Sequence, residues 1–273
     1  MKTLSMSVGY YMRRLKVKRR QLFKSALAAL ASASVFPSGK KARGAGKTCS
    51  ARVTPRQAQG PFYPQNPDWD AGNDLSLRDG AEDSSSVAKG LKIIIDGNVV
   101  GDNCEIIADA KIEVWQADSN GRYDHSGDPR RKSKKLDENF QYCSRFFSDP
   151  EGAFYFKTIK PGAYPASKNW VRPPHIHIKV WANGYFPLTT QIYFEPADTD
   201  LDTIDRECLK NDIVLRQLHH QGKAKKATQY LHDRDRIIRK TGESRHDVIL
   251  KAQDTKDGTP VFGLTVTLQK TPQ

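Results

Sequence analysis

The segment Trp170-Val-Arg-Pro-Pro-His-Ile-His-Ile-Lys-Val-Trp-Ala182 decides the architecture. From His175 onward it is crowded with β-branched and aromatic residues, and the prolines before it stiffen the approach, so residues 175–182 read as a strand. Four further runs share that composition, over 91–95, 111–116, 153–158 and 189–194. Asp96-Gly97, Asn120-Gly121, Pro150-Glu-Gly152 and Pro161-Gly162 read as the turns between them. Short strands at this spacing predict an all-β fold with an antiparallel β-sandwich core. Upstream, residues 48–87 are rich in Pro, Gly, Asp and Ser and predict an extended lead-in draped over that core, with Gly60-Pro-Phe-Tyr-Pro64 inside it. Downstream, residues 199–245 are charged and compatible with helix over 205–218 and 226–240, with Gly222 and Thr241-Gly242 as breaks. They predict a helical insertion, after which 248–251 and 261–268 return to the sheet.

A chain of 273 residues can bury a sizeable core, and its net charge of +13 raises the question of anionic partners. Eleven of those charges lie in residues 1–46, which contain no Asp or Glu, leaving +2 on the remainder. So balanced a body offers no electrostatic footprint for a phosphate backbone, and no nucleic-acid partner is expected. The front of the chain, Lys18-Arg-Arg-Gln-Leu-Phe-Lys24 followed by the apolar, small-residue stretch 25–36, resembles a twin-arginine export signal. The expected division is therefore a signal and basic linker over 1–46 and one domain over 47–273, in a protein exported to the periplasm. The apolar stretch is too short to cross the ~30 Å of a hydrocarbon core, so no stable membrane span is expected. Cys49, Cys104, Cys143 and Cys208 lie far apart with no Cys-x-x-Cys, which disfavours a zinc knuckle or thioredoxin motif. In an oxidising compartment they leave room for one or two disulfides, in any of three full pairings.

His175 and His177, two apart on a strand, project to one face and can share a metal. A His-x-His pair alone is more often a polar surface or core feature than a ligand pair, but this one sits in an aromatic, proline-rigidified setting. It lacks a nearby Asp, Glu or Cys at the spacing that zinc or a two-histidine, one-carboxylate iron(II) site requires. Tyrosines are the available donors: Tyr164 in Lys160-Pro-Gly-Ala-Tyr-Pro165, and Tyr123 just beyond the strand 111–116. Phenolate is a hard oxygen donor with an ordinary pKa near 10, so only a strongly Lewis-acidic ion holds two of them ionised. Two tyrosinates and two histidines point to iron(III), although either tyrosine in isolation reads as packing or surface.

Six segments occur in an order that resembles the intradiol ring-cleavage dioxygenases: Gly60–Pro64, Lys111–Asp118 leading to Gly121-Arg-Tyr123, Gly152–Phe156, Thr158–Pro165, Arg172–His177 and Leu188–Phe194. The resemblance spans about residues 60–194 and is nearest the protocatechuate 3,4-dioxygenase branch, since the N-terminal helical dimerisation domain of the catechol branch has no counterpart here. It implies a non-haem Fe(3+) held by Tyr123, Tyr164, His175 and His177, with Tyr164 able to leave the ion and take up a proton. It implies Arg172 beside the substrate, Gln191 behind it, and Trp115 in the core. It further implies a catechol-type substrate cleaved by O2 to a cis,cis-muconate, and leaves open a homo-oligomer or a second subunit. The stretch Pro165–Trp170 is shorter than in protocatechuate enzymes and lacks their Trp-Arg after Tyr-Pro. Two other readings stand beside this one: an exported, non-catalytic β-sandwich binding module, and a His-x-His iron(II) or zinc enzyme of cupin type in which His125 would join the ligands.

Overall fold

A computed structural model describes residues 51–65, 67, 69, 72–78 and 87–272; the export segment expected over 1–46 and Cys49 lie outside them. The strands are β1 (Lys92–Gly101), β2 (Lys111–Gln116), β3 (Cys143–Phe147), β4 (Ala153–Ile159), β5 (Tyr164–Ser167), β6 (Trp170–Arg172), β7 (His175–Trp181), β8 (Leu188–Phe194), β9 (Ile249–Leu250), β10 (Ala252–Lys256) and β11 (Thr259–Leu268). They form a sheet ordered β10-β11-β1-β4, a second ordered β3-β2-β7-β8-β9, and the small hairpin β5-β6. Period-2 alternation decides what lies between the sheets. Ile112, Val114, Ile176, Ile178, Val180 and Ile192 of the second sheet cluster with Ile93, Ile95, Phe154, Phe156, Leu264 and Val266 of the first. The residues of alternate parity, Trp115, His175, His177, Gln191 and Tyr193, are thereby committed to the other face. They are buried there by different material.

The sandwich is as expected, but it is not wholly antiparallel, because β1 pairs with β11 and β8 with β9 in parallel. Parallel neighbours need long connections, and the helical insertion supplies the one between β8 and β9. Asp96-Gly97 is not a turn. Gly97 lies in mid-strand opposite Phe154 and Leu264, where an added Cβ would stand 2.6 Å from the Phe154 ring and 2.7 Å from the Leu264 carbonyl oxygen. Glycine is there for close packing, which composition alone cannot distinguish from a turn. Pro161-Gly162 likewise forms no hairpin: Gly162 presses against the loop at 118–121 and donates its N–H to the Asp118 carbonyl at 2.9 Å.

The lead-in is extended where described, and it is fastened strand by strand: Thr54 N–H donates to Thr267 O, Gln57 N–H to Thr189 O, and Thr190 Oγ1 to Pro55 O. The insertion contains four short helices, α1 (Arg206–Leu209), α2 (Ile213–His220), α3 (Ala224–Arg234) and α4 (Arg236–Thr241). Each of the two expected helices is divided at an aspartate. Asp212 caps α2 through Leu215 N–H, and Asp235 caps α4 through Ile237 and Ile238 N–H, so each carboxylate starts a new helix where periodicity would have continued the old one. Among the described residues no helix is long and apolar enough to cross a membrane. Cys104 is disulfide-bonded, whereas the buried thiol of Cys208 donates to the Ala163 carbonyl.

Candidate metal centre

Sheet register assembles the first half of the site. His177 pairs with Trp115 on one side and Gln191 on the other, and His175 pairs with Tyr193. The Trp115 ring stacks on the His177 imidazole, with centroids 4.8 Å apart and planes within 8°. Trp115, expected as core, is thus fully buried and also one wall of the site. The Nδ1 of His175 lies 2.7 Å from the Pro173 carbonyl oxygen. An acceptor there places the ring proton on Nδ1 and leaves the Nε2 lone pair free toward the centre. Gly60 of the lead-in passes so close that a Cβ on it would sit 3.2 Å from His177 Cε1, and at φ +75° the position favours glycine in any case.

Loops bring in the tyrosines. After β2 the chain turns on Asp118, whose side chain accepts the N–H groups of Asn120 and Arg122. Gly121, at φ +74°, abuts Ala163, where a side chain would meet the carbonyl oxygen at 2.6 Å. This contact joins the two tyrosine-bearing loops. Tyr123 Oη lies 3.4 Å from His175 Nε2 and 3.2 Å from His177 Nε2. The Tyr164 ring centroid is 5.6 Å from that of Tyr123 and 5.5 Å from that of His175. All four expected ligands therefore converge, and all four are at least 95% buried.

Burial dominates their titration. It pushes both tyrosines above the usual phenol pKa, opposed at Tyr164 by the positive charges of Arg172 and Arg130. Burial, followed by Arg172, holds both histidines well below the ordinary imidazole value. Neutral imidazoles are ready donors, whereas the two phenols must ionise to bind, which only a hard, highly charged cation can bring about against burial. No group of three or more His, Cys, Asp or Glu able to hold a metal occurs among the described residues, so nothing there supports the carboxylate-assisted alternative using His125. The donor set fits iron(III) and does not fit a zinc site.

Arg172 is neither on the surface nor aimed among the four ligands. The short Pro165–Trp170 stretch forms the β5-β6 hairpin, which sets Arg172 directly opposite Tyr164. Its Nη2 donates to Gln191 Oε1 at 2.7 Å and Tyr193 Oη at 3.2 Å, and its Nε donates to Asp235 Oδ2 at 2.7 Å. Gln191 Nε2 in turn donates to the Ala58 carbonyl, so the expected glutamine ties the lead-in to the arginine.

Several supporting residues escaped the sequence reading. Asp128 accepts the Tyr123 N–H at 2.8 Å and binds Arg130 through both carboxylate oxygens. Arg130 is buried, with its guanidinium carbon 4.2 Å from the centroid of the Tyr164 ring. Phe62, from the Gly60–Pro64 motif, lies 4.8 Å from Tyr123 between ring centroids. Parity with Gln191 would have located Tyr193, and Asp128-Pro129 carries a helix-start signal; nothing in local pattern announces Arg130 or Asp235.

The structure is thus a β-sandwich that gathers two imidazoles from the outer face of one sheet and two phenols from the adjoining loop and hairpin into one buried cluster. Residues 59–235 match the family model described as Dioxygenase, and the chain belongs to that family. It is 41% identical over 113 residues to the protocatechuate 3,4-dioxygenase beta chain of Burkholderia cepacia, covering 40% of this chain and 46% of that protein. It is 28% identical over 172 residues to the chlorocatechol 1,2-dioxygenase of Rhodococcus opacus, covering 58% of this chain and 62% of that protein. The chain thus spans less than two thirds of either relative's length. The crystal structure of 3-chlorocatechol 1,2-dioxygenase from Rhodococcus opacus 1CP shares the fold, with a TM-score of 0.51 and 20% identity, covering 82% of this chain and 74% of that one.

Proposed function

We propose that the protein uses dioxygen to cleave a catechol-type ring between its two hydroxyl-bearing carbons, incorporating both oxygen atoms to give a cis,cis-muconate-type diacid. The observation that carries this reading is the convergence of Tyr123, Tyr164, His175 and His177 in one buried cluster beside Arg172. A ferric ion held by those four side chains would supply Lewis acidity and a chelation point for the two substrate oxygens. Tyr164 Oη is the group that accepts a proton from an incoming hydroxyl, and Arg130 over its ring steadies it in both states. Arg172, held at Nε by Asp235 and at Nη2 by Gln191 and Tyr193, stabilises the negative charge that grows on the ring. Trp115 and Phe62 wall the site and exclude water.

The basic segment Lys18–Lys24 supports export through a twin-arginine route to the periplasm, a route suited to a chain that folds around its metal first. The Burkholderia relative is named a beta chain, which supports assembly with a second subunit or further copies. The decisive measurement is made on protein purified with iron. It is expected to be red to burgundy, since tyrosinate-to-iron(III) charge transfer absorbs visible light, and to take up oxygen when given a panel of catechols. A colourless protein carrying stoichiometric zinc would overturn the proposal.

A further inference from the structure

The helical insertion at 199–245 has one carboxylate that does two jobs. Asp235 Oδ1 accepts the N–H groups of Ile237 and Ile238 and so starts α4, while Oδ2 accepts Arg172 Nε at 2.7 Å and Trp170 Nε1 at 3.3 Å. Asp235 is completely buried and Arg172 is 5% exposed. Arg172 Nη2 is already occupied by Gln191 and Tyr193 from β8, and Asp235 adds a second hold on the guanidinium at Nε. The Trp170 ring, 5.4 Å from the Arg172 guanidinium and 5.0 Å from that of Arg236, closes the same contact. Insertion and sheet therefore meet at the side chain assigned to stabilise charge on the substrate.

We propose that Asp235 is a positioning residue for the reaction, acting through Arg172, and that the insertion is by this route a working part of the site. The inference rests on the proposed ring cleavage. A guanidinium held by one face only can rotate about its last side-chain torsions, and a preorganised charge loses its advantage when it must be reoriented during the reaction. Asp235 also compensates a buried cation that Gln191 and Tyr193, both neutral, cannot balance.

Asp235→Asn separates the two jobs. Asparagine caps helices as well as aspartate does, and with its single carbonyl oxygen engaged at the α4 N-terminus it turns an amide N–H toward Arg172 Nε, donor against donor. Arg172→Ala, Asp235→Asn and the double variant complete a cycle. It is read as kcat for catechol, as the dissociation constant of 4-nitrocatechol from its absorbance change, and as iron content, visible band and circular dichroism. Asp235→Asn is expected to keep its iron, band and fold and to lose on the order of 10-fold in kcat, with KM changed far less. In the Arg172→Ala background the same substitution is expected to change kcat by less than twofold. Equal losses in both backgrounds would overturn the inference and leave Asp235 a helix cap. A wild type that binds 4-nitrocatechol yet consumes no oxygen with any catechol sinks the ring-cleavage reading alone. The absorbance maximum of bound 4-nitrocatechol then decides Asp235: a shift caused by Asp235→Asn in the wild-type background and absent in the Arg172→Ala background supports it, and equal shifts in both overturn it. A wild type that neither binds nor cleaves overturns both.

Discussion

Arg172 would ordinarily belong in water, and what holds it inside is a set of partners drawn from three distant stretches of chain: β8, the lead-in through Gln191, and the insertion. Because its charge matters most when the ring becomes carbanion-like, its loss falls on kcat rather than on binding. Arg172→Ala is expected to retain iron and its visible band, still to change colour on adding a catechol, and to consume oxygen on the order of 10²-fold more slowly; stopped-flow and oxygen-electrode traces check this, and near wild-type turnover would remove the role. The ligands make a complementary case. His175→Ala and His177→Ala are expected to lose most of their iron while circular dichroism stays that of a folded sandwich, because the inter-sheet core is carried by Ile176, Ile178 and Val180 on the opposite face. Full iron retention in either variant contradicts the assignment. These residues were legible because strand parity and donor chemistry are local properties: His175 and His177 share a face by spacing, and phenols beside imidazoles imply a hard ion. Arg130 and Asp235 were not, because local partners hold each in place while its link to the site runs through space, to Tyr164 for one and Arg172 for the other, which no sequence window contains.

At the scale of elements, composition located the strands that carry the core and missed those that do not. β7 and β8 are dense in β-branched and aromatic residues and were expected nearly to their ends. β10, Ala252-Gln-Asp-Thr-Lys256, is a polar edge strand whose pairing with β11 no hydrophobic pattern requires. β5 and β6 are held to each other rather than to a sheet, so their composition answers to the Tyr164–Arg172 register and not to a core. Gly97 shows the opposite error, a residue of turn type in mid-strand because Phe154 fills the space its side chain would need. Gly97→Ala must move either the Phe154 ring or β11, and overpacking of this kind costs about 1–3 kcal/mol. Denaturant titration of the variant is expected to show a lowered midpoint with unchanged slope, and iron content equal to wild type, since β1 lies in the sheet that carries none of the ligands. A variant as stable as wild type would mean that the strand yields at no cost.

For the molecule as a whole, the balance of charge changes with pH where a buried group titrates differently from its unfolded self. His232 of α3 is 4% exposed, its Nε2 has no hydrogen-bond partner, and its ring lies 6.2 Å from that of Tyr193. Burial lowers its pKa to about 4 from 6.5, against the contrary pull of Asp235, Asp200 and Asp233, with Lys160 acting in the same direction as burial. The folded chain keeps this imidazole neutral while the unfolded chain protonates it, so between those two values the unfolded state binds the extra proton. The stability His232 contributes is therefore fully present above pH 6.5 and is lost as pH falls toward 4, by ~3 kcal/mol across the window. Glutamine at this position fills similar space and does not titrate. Melts of wild type and His232→Gln, both stripped of metal, are expected to run parallel from pH 7 to 8 and to diverge below 6.5, the wild type losing stability more steeply as acid is added. His175 and His177 titrate in both proteins, so the difference between the two slopes isolates His232. Parallel curves down to pH 4.5 would show that the imidazole reaches solvent or a proton donor, and that α3 is not sealed against the sheet.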